Sequence, residues 1–201
     1  DQWKTIQPIF AESFRIHEEE TFYSILPTAT QYARNAIFAG MLPVDIEKQF
    51  PSQWKNDDEE GGKNLFEEEF LRANLKRLGK NDLKISYTKI TNNQDGQKLV
   101  DNIHNMLQND FNVIVYNFVD MLSHARTEME VLKELAGDEI SYRSITQSWF
   151  EHSPLHQALK KIAEKNINVI VATDHGSTRV KTPAKVIGDK QTTANLRYKH
   201  G

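Results

Sequence analysis

Residues able to ligate a metal ion or to act as a nucleophile gather in three short clusters: Thr28-Ala29-Thr30, Asp120 with His124, and Thr173-Asp174-His175-Gly176. Each stands at the carboxyl end of an apolar run read as a strand, which is where ligands collect in open parallel sheets. Asp174 and His175 are adjacent metal-type ligands delivered by one strand, and Gly176 permits a tight turn after them. Neighbouring ligands at a strand end can serve one ion or two; the alternative is an Asp-Gly type turn with a polar neighbour. Asp120 ends a second strand, and His124 lies one turn into the helix that follows, so both side chains can converge on one ion. An aspartate there can equally be the N-cap of that helix. Thr30 stands where a helix begins, beside free backbone N–H groups and the positive end of the helix dipole, which favour a phosphate. Its alcohol is a poor nucleophile unless a cation such as Zn²⁺ stabilises the alkoxide, and as an isolated residue it would serve as an N-cap.

The elements that must position these groups alternate. Residues 22–26 are short, apolar and partly aromatic, and Pro27 ends them as a buried strand. Ala33, Ala36, Ile37 and Gly40 then recur at helical spacing, with Gly40 and Pro43 closing the helix. An acidic run from Asp57 to Glu60 and the Gly61-Gly62 pair open a segment at about 52–80, read as a solvated helical insertion through Phe66, Phe70, Leu71, Leu75 and Leu78. A strand over 83–90, a helix near 97–109, an apolar strand over 111–119 and a helix over 121–135 follow. Ser153-Pro154 starts another helix, with Leu155, Leu159 and Ile162 on one face, and a strand over 167–172 comes directly after it. Strands that are apolar along their length and alternate with helices predict an α/β fold with a mainly parallel sheet covered by helices on both faces.

The 201 residues are ample for one α/β domain, and 38% hydrophobic against 26% charged residues excludes a largely disordered chain. A net charge of -3 gives no basic field to hold a long nucleic acid nonspecifically, but leaves a short phosphate substrate open. With no cysteine, disulfides and thiolate zinc sites are excluded, so any metal must be held by His, Asp or Glu. That composition suits a reducing cytoplasm. No apolar run approaches the length that crosses a bilayer, and the first residues lack the order of a secretion signal. The chain is expected to be a soluble excerpt of a longer protein.

The run Leu26-Pro27-Thr28-Ala29-Thr30-Gln31-Tyr32-Ala33-Arg34-Asn35, with Gly40-Met41-Leu42-Pro43 after it, resembles the nucleophile segment of the alkaline phosphatase superfamily. In the nucleotide pyrophosphatase/phosphodiesterase branch of that superfamily a proline and a Thr-x-Thr likewise lead into a helix ending in Gly-x-x-Pro, which puts the nucleophile on Thr30 and makes Thr28 second choice. The spacing of Asp120 and His124 is similar to the first pair of metal ligands in that superfamily, and Asp174-His175-Gly176 to the second, in the same chain order. The resemblance is closest to PglZ domains, above all the output domain of PorX-type response regulators of two-component systems, and it covers nearly the whole chain. It implies an alkaline-phosphatase-like core, with residues 1–201 the central part of one domain lacking both ends. It also implies two Zn²⁺ ions held by Asp120, His124, Asp174 and His175, with phosphodiester hydrolysis on nucleotide or oligonucleotide substrates. A sensor kinase and signalling partners, reached through a receiver domain, and a homodimer are the macromolecular partners implied, with no membrane involved.

Two departures stand out. The first metal Asp of the superfamily lies upstream of the nucleophile, a place Asp1 does not fit, and the last metal His belongs to a His-Gly-Gly segment that His200-Gly201 matches only superficially. Arg34 and Asn35 are read as structural or solvated rather than phosphate-binding, and His17, His104, His152 and His156 as ordinary surface residues. Competing readings are a noncatalytic signalling or dimerisation module that retains the fold, and a phosphomonoesterase or phosphomutase of the same superfamily.

Overall fold

The computed structural model of the chain describes residues 2–56, 59, 61–119, 121–122, 125, 129–177, 180, 182, 184 and 187. In chain order its helices are α1 (Gln2–Ala11), α2 (Thr30–Ala39), α3 (Pro43–Gln49), α4 (Glu67–Arg77), α5 (Asn93–Met106), α6 (Glu130–Leu135), α7 (Glu139–His152) and α8 (Pro154–Ala163); its strands are β1 (Ile85–Ile90) and β2 (Phe111–Tyr116). They fall into two compact units, one of Asp1–Glu19 with Asp82–Val169 and the other of Glu20–Asn81 with Ile170–Gly201. No helix among the described residues is long and apolar enough to cross a membrane.

The first unit is a β-α-β arrangement. Asn92 caps α5 by accepting from the Asp95 N–H at 2.9 Å, and Leu99, Val100 and Ile103 recur at helical spacing to form its buried face. The helix returns the chain to β2, which pairs with β1 in parallel from Ile85↔Phe111 to Ile90↔Tyr116. That register sets Ile90, Ile114 and Tyr116 on one face of the sheet, where they meet Leu99, Val100 and Ile103 of α5 and Ala158 and Ile162 of α8. Gly96 is needed where α5 comes closest, because a Cβ there would lie 2.7 Å from the Tyr116 hydroxyl. The expected start of α8 is present: the Ser153 side chain accepts from the His156 N–H at 3.2 Å, and Pro154 occupies the first turn.

In the second unit α2, α3 and α4 enclose Ala39, Ile46, Trp54 and Phe70. Segment 52–80 supplies that helix α4, but it is not solvated all round, because Glu67, Phe70 and Leu71 are buried in it. Gly40 ends α2 at φ 60°, a left-handed conformation that glycine adopts without strain, and its N–H returns to the Ala36 carbonyl at 2.8 Å. The last carbonyls of α2 are taken by side chains of α4. Asn74 Nδ2 donates to Phe38 O at 3.1 Å, and Arg77 Nη2 to Ala39 O at 2.8 Å.

The α/β class and the parallel pairing agree with the expectation; the extent of the sheet differs. Among the described residues it has two strands, and residues 22–26 and 167–172 form none. Phe22, Tyr23 and Leu26 are largely exposed, as is Ile170. β-propensity records fit to a paired, half-buried surface, and neither apolar run meets a strand edge that would satisfy its backbone.

Candidate active site

Thr30 is the first residue of α2, and the N-cap before it is Ala29, which offers no side-chain cap. The hydroxyl of Thr30 is therefore not used on its own helix. It meets His175 instead, with Thr30 Oγ1 3.1 Å from His175 Nε2 across 145 positions of sequence. The other imidazole nitrogen, Nδ1, lies 3.1 Å from the Gly176 carbonyl oxygen. A carbonyl only accepts, so Nδ1 carries a proton; in the tautomer with that proton alone, Nε2 presents a lone pair to which the Thr30 hydroxyl donates.

The turn that holds His175 is tied down on both sides. Ser24 Oγ donates to the Asp174 carbonyl at 2.7 Å, and Thr173 Oγ1 donates to the His175 carbonyl at 2.9 Å. Asp174 Oδ1 accepts from the His175 N–H at 3.1 Å. Its other oxygen, Oδ2, is buried with no hydrogen-bond partner among the described residues and lies 3.8 Å from His175 Nε2. A buried carboxylate oxygen without a donor costs free energy of about 1–3 kcal/mol or more. A second lone pair facing it from the imidazole raises that cost.

A divalent cation resolves both problems, and the donor types fit one: a carboxylate oxygen, an imidazole nitrogen and an alcohol oxygen suit zinc, whose bonds to such ligands are about 2.0–2.2 Å. A separation of 3.8 Å between Oδ2 and Nε2 lies within the span of two such bonds. Asp174 and His175 alone do not complete a four-coordinate shell, and no group of three or more His, Asp or Glu converges among the described residues.

Of the residues singled out in the sequence, Thr30, Asp174 and His175 are thus together, with Thr28 two residues before Thr30. Asp120 and His124 lie outside the described residues, as do Asp1, His200 and Gly201. Arg34 and Asn35 are structural. Arg34 forms an ion pair with Glu67, the two side chains being 15% and 1% exposed, and Asn35, 1% exposed, donates to the Lys63 carbonyl at 3.1 Å. His17, His104 and His152 are exposed, as expected, but His156 is not a surface residue. It is buried, its ring stacks on Phe150 at 5.1 Å, and its Nδ1 reaches the Glu151 carbonyl at 3.0 Å. Its place in the first turn of α8 turns the ring back towards α7.

The pattern missed the side-chain amides around Thr30. Asn64 Nδ2 donates both to the Thr30 carbonyl at 3.2 Å and to Asn35 Oδ1 at 3.1 Å, and Gln31 Nε2 donates to the Lys55 carbonyl at 2.7 Å. Amide pairing has no characteristic spacing, so nothing in the residue order marks Asn64.

No curated protein sequence matches this chain. The family described as the BREX system PglZ alkaline phosphatase-like domain matches residues 1–201. That family sits in a superfamily of typically metal-dependent phosphoesterases, in keeping with a threonine, a histidine and an aspartate gathered at the start of a helix. On that match, the chain belongs to the PglZ family of alkaline phosphatase-like domains.

Proposed function

We propose that the chain carries the nucleophile of a zinc-dependent phosphoric ester hydrolase in which the Thr30 oxygen attacks phosphorus. The observation that carries this reading is the 3.1 Å contact of Thr30 Oγ1 with His175 Nε2, beside the unpartnered carboxylate oxygen of Asp174. Asp174 and His175 would hold one ion, and Asp120 with His124 a second. Zinc bound there supplies Lewis acidity, stabilising an alkoxide and developing charge on phosphorus. The chain itself orients the hydroxyl. The start of α2 holds Thr30 Oγ1 beside His175 Nε2, whose lone pair would serve the ion when one is bound, leaving the Thr30 oxygen for an in-line approach to phosphorus. A phosphoryl group at Thr30 would stand over the first turn of α2, whose N–H groups and dipole favour its negative charge. Attack forms a phosphorus–oxygen bond to Thr30 as the bond to the leaving oxygen breaks; water then releases the phosphoryl group and restores the alcohol.

The substrate class we favour is a phosphodiester of nucleotide or oligonucleotide type, as the output domain of a PorX-type response regulator in the cytoplasm, with a sensor kinase upstream. The similarity of the nucleophile segment to the diesterase branch supports this, and the net charge of -3 argues for short substrates. The test is Thr30→Ala in the zinc-loaded full-length protein, assayed on a bis-aryl phosphodiester and on an aryl phosphomonoester. Turnover is expected to fall at least about 10³-fold, as when a covalent nucleophile is removed. Unchanged turnover would overturn the nucleophile, and faster hydrolysis of the monoester would overturn the diesterase assignment.

A further inference from the structure

We propose that Asn64 is a positioning residue for Thr30, clamping the first turn of α2 so that its hydroxyl stays aimed at His175; this rests on the reading of Thr30 as nucleophile. Ala29 supplies no side-chain cap, so the N-terminal turn is not held by its own cap residue. It is held from outside by amides. The two N–H bonds of Asn64 Nδ2 go to the Thr30 carbonyl and to Oδ1 of Asn35, one turn further along the same helix. Asn35 is 1% exposed and returns a bond from its own Nδ2 to the Lys63 carbonyl, next to Asn64, so the clamp closes on itself. Gln31 adds a third attachment through the Lys55 carbonyl at 2.7 Å.

One donor group thus fixes Thr30 by its backbone and the helix by a buried amide, and neither bond uses the reacting oxygen. A planar amide suits this role because it offers two donors in a fixed fork. Freed of it, the first turn can shift by a fraction of an ångström, and misplacement of a reacting group by about 1 Å costs on the order of 10²-fold in rate.

The experiment compares Asn64→Ala, Asn64→Asp and Asn74→Ala in the zinc-loaded full-length protein on a bis-aryl phosphodiester, with kcat, KM and the thermal midpoint measured for each. Asn64→Asp keeps the size and loses both donors. Asn74→Ala removes a bond to the Phe38 carbonyl at the opposite end of α2, and so weakens the same helix away from Thr30. Both Asn64 variants are expected to lose about 10- to 100-fold in kcat, with KM within about twofold, well below their melting temperatures. Asn74→Ala is expected to lower the midpoint but keep kcat within about twofold. The proposal is overturned if the Asn64 variants keep the wild-type kcat, or if Asn74→Ala lowers kcat as far as they do. Thr30→Ala run in parallel separates the two failures: a fully active Thr30→Ala removes the nucleophile itself, whereas an inactive one beside fully active Asn64 variants removes only the clamp.

Discussion

Replacing Glu67 with glutamine should unfold the second unit far more readily than the loss of one surface charge would. Glu67 is 1% exposed and pairs with Arg34, whose side chain is 15% exposed, so the variant leaves a guanidinium buried without its carboxylate. An exposed pair would contribute about 0–1 kcal/mol. A buried one broken from one side costs about 3–5 kcal/mol, and with Glu67 buried and Arg34 only 15% exposed the pair stands nearer that figure. With a urea m-value of about 1–3 kcal/mol/M, the midpoint should fall by about 1 M or more. Urea titration followed by far-ultraviolet circular dichroism at neutral pH measures this directly. The double variant Arg34→Met/Glu67→Leu should recover most of the loss, since it removes both charges and fills their space. A shift below about 0.3 M for Glu67→Gln would refute this reasoning, showing that solvent reaches the pair in spite of the packing of α4 on α2.

Two more outcomes follow from particular groups. Zinc should raise the thermal midpoint of the wild-type chain, by about 2.7 kcal/mol of stabilisation at 100 times the dissociation constant, and should not do so for Asp174→Asn; without metal that variant should be no less stable than wild type, because the carboxylate oxygen it removes has no hydrogen-bond partner among the described residues. Burial raises the phenol pKa of Tyr116 above its ordinary 10, so the contribution of the neutral ring is fully present below pH 10 and is lost as pH rises through the folded-state value. Tyr116→Phe should therefore show a smaller loss of denaturation midpoint between pH 9 and pH 11 than wild type does.

What could be read from the residue order was local. Helix α8 announces itself because its cap, Ser153, and its apolar face lie within a few positions of one another, whereas α5, expected near 97–109, starts at Asn93 behind an Asn92 cap that the apolar spacing does not mark. The pairing of β1 with β2 was legible for a related reason, since a helix of suitable length between two apolar runs makes a parallel crossover. Residues 22–26 and 167–172 were misread because a strand exists only with a partner, and composition carries no partner. At the site, residue types with metal and nucleophile chemistry marked Thr30, Asp174 and His175, although the contact spans 145 positions. The burial of His156 escaped notice because a polar ring in a first helical turn reads as surface until the helix before it is placed.

The dependence of α2 on α4 constrains how the Thr30 site can be made. At 10 residues α2 is too short to persist alone in water, and its last carbonyls are closed by Asn74 and Arg77, which are translated 44 and 47 codons after Thr30. A nascent chain halted near residue 65 would carry Thr30 on a frayed segment. The alcohol therefore reaches its final orientation only after α4 has left the ribosome, which couples the birth of the site to the completion of the unit around it.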